Sequence, residues 1–158
     1  MRKIILASLL SILIFSCKSK QTATNTKLDD KAEVAIKGDW IISSVTYHGS
    51  DVIKVTSFDL ADSKCFIGSK WEFVSMSNKG KMALNSPKCT AYSTPITWFI
   101  NKEGQFVLKI LDEGKAKNVK SGYVLKVANQ KENSFQLIDK INVAGKETEV
   151  VYQFEKAK

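Results

Sequence analysis

The chain has 158 residues, 44% hydrophobic, 9% aromatic and 25% charged, with 24 Lys and Arg against 16 Asp and Glu for a formal net charge of +8. That length suits one folded domain around one core. The positive excess is almost entirely lysine spread along the chain, and its densest group, Lys115, Lys117 and Lys120, has no interleaved aromatics, which argues against a nucleic-acid surface and for a solvated face or attraction to anionic lipid headgroups.

At the amino end, Arg2 and Lys3 precede the thirteen-residue run "IILASLLSILIFS", which stops at Cys17. A short positive head with an apolar core of this length marks an export signal, whereas a spanning helix needs roughly 20 residues. The run, with Ser16 directly before Cys17, resembles the lipobox of bacterial lipoproteins, and the bulky Phe15 resembles the looser form of Bacteroidetes-type bacteria. That resemblance implies an acylated Cys17, carrying chains such as palmitate, as a lipid anchor to a membrane. Residues 18 to 35 are polar and contain no aromatic, so they bury too little surface to offset ordering entropy. As a coil of about 18 residues they would hold the fold on the order of 25 Å from the bilayer. The expected organisation is therefore a signal peptide at 1–16, an acylated cysteine and flexible linker at 17–35, and a folded domain at 36–158, with a short helix in "LDDKAEVAI" just before it. Lys18 after the anchor gives no inner-membrane retention signal of the enterobacterial type, and "KSKQTA" lacks the acidic run that similar lipoproteins carry for surface display. The expected location is the cell envelope, at the outer membrane facing the periplasm.

From Gly38 onward apolar residues alternate with polar ones, the period of half-buried strands. "GDWIISSVTY" faces Trp40 and Ile42 inward, "KWEFVSM" Trp71 and Phe73, "KMALN" Met82 and Leu84, and "PITWFI" Ile96, Trp98 and Ile100. "QFVLKIL" adds Phe106, Leu108 and Ile110, "SGYVLKVA" Tyr123, Leu125 and Val127, "NSFQLID" Phe135 and Leu137, and "EVVYQFEK" Val150, Tyr152 and Phe154. Most breaks between these eight stretches are short and carry Gly, Asn or Asp, the residues of hairpin turns. One connection is long, from "HGSDVIK" to "CFIGS", with a single helical turn expected at "SFDLAD"; a lid or insertion belongs there. Cys65 and Cys89 flank the second and third strands, an even pair in a compartment that permits oxidation, and are expected to form a disulfide. Eight sequential antiparallel strands with one apolar face allow a sandwich or a barrel, and the run of short hairpins favours an all-β, eight-stranded antiparallel up-and-down barrel.

"GDW" opening the first strand resembles the Gly-x-Trp signature of lipocalins, and "CFIGSKWEF", a later Cys and a terminal "VYQFEK" are similar to lipocalin-like lipoprotein domains of Bacteroidetes. The resemblance spans roughly residues 36 to 156. It implies a barrel closed at one end by Gly38 and Trp40 beneath a basic side chain of the last strand, for which Lys156 is the candidate, although classical lipocalins place Arg there.

No catalytic arrangement can be built around His48, the lone histidine, and Glu72, Asp112 and Glu113 fall on expected outer faces or turns. Two thiols without a nearby His make a poor metal site; no metal, cofactor or enzymatic activity is implied. Function is left to the barrel interior, where Trp71, Phe73, Trp98, Phe106, Leu108, Tyr123, Leu125, Phe135 and Tyr152 would contact a ligand, with Ser44, Ser75, Tyr123 and Tyr152 as polar tips. The sequence thus points to a membrane-anchored binder or carrier of a small hydrophobic molecule in the bacterial envelope. The alternative is an interaction module whose barrel is filled by its own side chains and whose outer face meets an envelope protein not identifiable from the residues.

Overall fold

The computed structural model describes residues 30–48, 54–112, 115–143 and 145–158. The signal run, Cys17 and the tether to residue 29 lie outside them, as do Glu113 and the side chains of Asp112, Lys115, Lys117 and Lys120. A helix, α1 (Asp30–Ile36), leads into β1 (Gly38–Tyr47). The small strands β2 (Thr56–Ser57) and β3 (Ala61–Asp62) then form a hairpin of their own. The remaining strands are β4 (Lys70–Val74), β5 (Lys79–Leu84), β6 (Tyr92–Ile100), β7 (Gln105–Asp112), β8 (Lys115–Ala128), β9 (Ser134–Val143) and β10 (Lys146–Lys156). With β1 they make one closed barrel in the order β1-β10-β9-β8-β7-β6-β5-β4, every neighbour antiparallel, and β4 pairs back onto β1. This is the all-β, eight-stranded antiparallel up-and-down barrel expected from the alternation.

The alternation dictates the closure. In β4, Trp71 and Phe73 are buried while Lys70, Glu72 and Val74 are exposed; a slip of one residue would turn both rings into water. Closing the sheet leaves no unpaired edge and gathers every inward row into a single core. Trp98 stacks on Phe106 with centroids 5.6 Å apart, Phe135 on Phe154 at 4.6 Å, and Trp40 meets Phe135 edge-on at 4.7 Å. Such pairs add about 0.5–1.5 kcal/mol each beyond the area they bury.

One end of the barrel is sealed by α1, too short to be stable alone and held by tertiary bonds. The Glu33 carboxylate, almost fully buried, accepts from the Ile100 amide at 3.1 Å and from Asn78 Nδ2 at 3.3 Å, and the Ile36 carbonyl accepts from Trp40 Nε1 at 2.6 Å. Glu33 and Ile36, ahead of β1, are thus part of the packed structure. Lys156 Nζ lies 4.8 Å from the Trp40 ring, worth about 0.5–1 kcal/mol at an exposed site. Gly38 has φ +114, a backbone angle that selects glycine.

The long connection departs from expectation. Instead of a helical turn at "SFDLAD", β2 and β3 fold back around Phe58 and Asp59, whose φ values are 54 and 50. Two consecutive left-handed residues close a tight hairpin, not a right-handed helix.

Candidate ligand site at the open end

At the end of the barrel opposite α1, the β2–β3 hairpin carries Phe58 inward. Its ring stacks on Tyr152 at 5.1 Å with planes 26° apart, and meets Tyr123 at 5.1 Å, Phe66 at 5.2 Å and Trp71 at 6.2 Å. Four rings from three strands and the connection thus box a fifth. Phe58 is 4% exposed. A bulky side chain on a left-handed residue is unusual, because Cβ crowds the following carbonyl; it persists only where the surroundings impose it. Here the box imposes it, with two hydrogen bonds on either side of the ring: Tyr152 donates its hydroxyl to Ser57 Oγ at 2.6 Å, and Tyr123 donates to Asp59 Oδ2 at 3.0 Å.

The rest of the connection is clamped. Cys65 and Cys89 form the expected disulfide, tying the 3₁₀ turn Ser63–Phe66 to the β5–β6 connection. Ser69 Oγ donates to the Phe66 carbonyl and accepts from Trp71 Nε1 at 2.8 Å, which satisfies that indole. Ser63 Oγ is fully buried with no hydrogen-bond partner, a cost that native structures rarely leave unexplained. On its outer side the hairpin borders an open cleft of about 510 Å³, lined by Asp59, Leu60 and Ala61, by Lys88 and Tyr92, and by the disulfide.

At this end a carboxyl faces into the barrel. Asp139 follows Phe135 and Leu137 on the inward row of β9 and is 7% exposed. Burial pushes its carboxyl above the ordinary aspartate value; the Lys140 backbone amide opposes that shift, and the Asp59 charge reinforces it. Burial likewise raises the Tyr152 phenol, and holds the Tyr123 phenol up to about 12.

The nine residues expected to contact a ligand all sit on the inward rows, but at two levels. Phe73, Trp98, Phe106, Leu108, Leu125 and Phe135 are the packed interior below the mouth; Trp71, Tyr123 and Tyr152 belong to the box around Phe58. A void able to hold water would leave accessible surface on its lining, yet Trp98, Phe106, Leu108 and Leu125 have 0%, Phe73, Phe135 and Tyr152 have 1% and Trp71 has 2%. These side chains pack on one another. Of the expected polar tips, Tyr123 and Tyr152 stand at the mouth, but Ser44 is exposed, because the β1–β10 register shifts between Ile42 and Ser44. Ser75 lies in the β4–β5 turn at the sealed end. His48 is exposed just after β1, beside Thr46 and Glu149. Among the described residues no three His, Cys, Asp or Glu are grouped to hold a metal.

Sequence reasoning missed Phe58, Phe66, Ser57, Asp59 and Asp139. Only Asp139 had a readable signal: it continues, at the next alternate position, the row that begins with Phe135 and Leu137.

No protein-family model matches the chain, and no curated protein does. Among solved structures, a lipocalin-like protein from Bacteroides uniformis ATCC 8492 is similar at 14% identity and a TM-score of 0.47, over 78% of this chain and 99% of that one. The odorant-binding protein OBP1 is similar at 12% identity and 0.47, over 79% and 73%. Bovine odorant-binding protein, solved in complex with a selenium-containing odorant, is similar at 10% identity and 0.47, over 80% and 73%.

Proposed function

We propose that the chain is a bacterial envelope lipoprotein, tethered through an acylated Cys17 at the outer membrane and facing the periplasm, whose barrel binds a small hydrophobic molecule at its open end without catalysing a reaction. One observation carries the binding half of this reading. The mouth holds a four-ring box, and the chain fills it with its own Phe58 at the expense of a strained backbone. A box that merely completed the core would be filled by a residue at ease in its backbone; strain at such a place accompanies sites whose occupant changes. The packed rows below confine the ligand to the mouth. The anchoring half rests on the apolar run ending at Cys17 and on the polar stretch after it.

The binding test is native mass spectrometry of the full chain released from detergent micelles, with a panel of aromatic, isoprenoid and fatty compounds. One added mass per chain is expected, and absence of any adduct across the panel would refute the reading. Metabolic labelling with an alkyne-tagged palmitate should mark the wild type and not Cys17→Ala.

A second reading is favoured by the lower interior, where side chains are 0–2% exposed. In it the barrel is a rigid support and its outer face meets an envelope protein. Crosslinking in intact envelopes would then capture one dominant partner, and Phe58→Ala would change stability alone.

A further inference from the structure

We infer that the mouth site takes an organic cation: a small molecule with an aromatic or alkyl body and a protonated or quaternary amine, which displaces the Phe58 ring from its box and pairs with Asp139. This rests on the reading of the open end as a ligand site and names the chemistry of its ligand.

The box sets the first half of the specificity. Phe66, Trp71, Tyr123 and Tyr152 surround the Phe58 ring at 5.1–6.2 Å. Tyr152 presents its face to the centre, and aromatic faces are the negative side of the ring quadrupole, which attracts ammonium groups as well as other rings. Charge sets the second half. Asp139 points inward at 7% exposure and has no ion pair among the described residues. Its neighbour Lys140 points out of the barrel and bonds Glu147 at 3.0 Å. Asp59 adds a second carboxylate on the hairpin, bonded to Tyr123. The fields of the two carboxyls reach each other and the Tyr123 phenol. An anionic head such as a fatty carboxylate would enter against both, whereas an ammonium would neutralise a carboxyl that burial otherwise leaves uncompensated. The cleft beside Asp59 and Leu60 gives a ligand access to the hairpin that must move.

Three probes of nearly equal size separate the possibilities: benzyltrimethylammonium, its carbon isostere neopentylbenzene, and phenylacetate, each titrated calorimetrically into the full chain in a nonionic detergent. The cation is expected to bind at least about tenfold more tightly than the isostere, and phenylacetate more weakly than either. In Asp139→Asn the cation should fall to the level of the isostere, while thermal stability holds or rises. Phe58→Ala should tighten both the cation and the isostere, because the competing ring is gone. Equal binding of cation and isostere by the wild type, or an undiminished preference in Asp139→Asn, would overturn the inference and leave the open-end site standing. Binding of no probe by either the wild type or Phe58→Ala would overturn the site itself.

Discussion

Replacing Cys65 and Cys89 together by alanine should cost about 3 kcal/mol of stability. The bridge joins residues 24 positions apart, and the chain-entropy relation for a loop of that size gives about 3–3.5 kcal/mol through restriction of the unfolded chain. In the folded state it fastens a turn that already has its own bonds, with Cα atoms 5.8 Å apart, so little of the loss should come from the barrel. Alanine is preferred to serine because Cys65 is 9% exposed, and a buried hydroxyl would add a desolvation cost of its own. Urea titration should show a lower midpoint, with a slightly larger m as the unbridged unfolded chain exposes more surface. For a domain of this size the same loss corresponds to a fall of roughly 10 °C in Tm. The wild type in reductant should match the double variant. A loss below about 1 kcal/mol would refute the reasoning, since it would mean that the unfolded ensemble is already confined without the bridge.

Glu33→Ala should destabilise by about 1–3 kcal/mol, because it leaves the buried Ile100 amide without its acceptor; Glu33→Gln, which keeps an acceptor oxygen, should lose less, and urea midpoints will rank the two. Gly80→Ala should cost about 1–3 kcal/mol by crowding the β4–β5 hairpin, since its Cβ would clash with the Glu72 carbonyl oxygen; an unchanged Tm would contradict that close approach. The Tyr123 phenol is held up to about 12 mainly by burial, partly offset by a hydrogen bond with Ser121 and reinforced by Asp59. The folded state thus keeps a proton that an unfolded tyrosine loses near pH 10. Its contribution to stability is whole below pH 10 and is lost as pH rises through about 12. Ultraviolet titration should show a phenolate step near 12 that disappears in Tyr123→Phe.

The barrel was legible because its strands obey a single rule. Alternation of inward aromatics with outward Lys, Glu and Gln runs through β4, β7 and β10, and short turns between them leave few topologies. The disulfide was legible for a related reason: the β4–β5 hairpin brings both cysteines to one end. The lid was not. "SFDLAD" has helix-compatible residues and no glycine, and the left-handed angles at Phe58 and Asp59 are imposed by rings and hydroxyls up to 95 positions away. Local propensity carries no trace of such an imposition. Depth was also hidden. The same row of inward residues can line a hollow or fill it, and the choice depends on how Trp98, Phe106, Phe135 and Phe154 stack across the barrel. Ser44 was misplaced by a register shift in β1 that no residue at the shift announces.

If the mouth is a ligand site as proposed, the filled interior and the strained hairpin divide stability from binding. Rows sealed at 0–2% exposure hold the barrel closed whatever occurs at the mouth, so the hairpin can open without unfolding the domain. Its closure is modest by comparison. Burying the Phe58 ring contributes about 1.5–3 kcal/mol, and the Ser57 and Asp59 hydrogen bonds about 0.5–1.5 kcal/mol each. Against these stand about 1–2 kcal/mol of left-handed strain at each of Phe58 and Asp59. A net near 1.2 kcal/mol in favour of closure, at the midpoints of these ranges, leaves roughly a tenth of molecules open and would weaken the apparent affinity of a ligand at the proposed site about ninefold relative to an open mouth. On the proposed reading Phe58 is the ligand's competitor: it keeps the aromatic box out of water in the closed state, and displacement by a ligand would release its backbone strain.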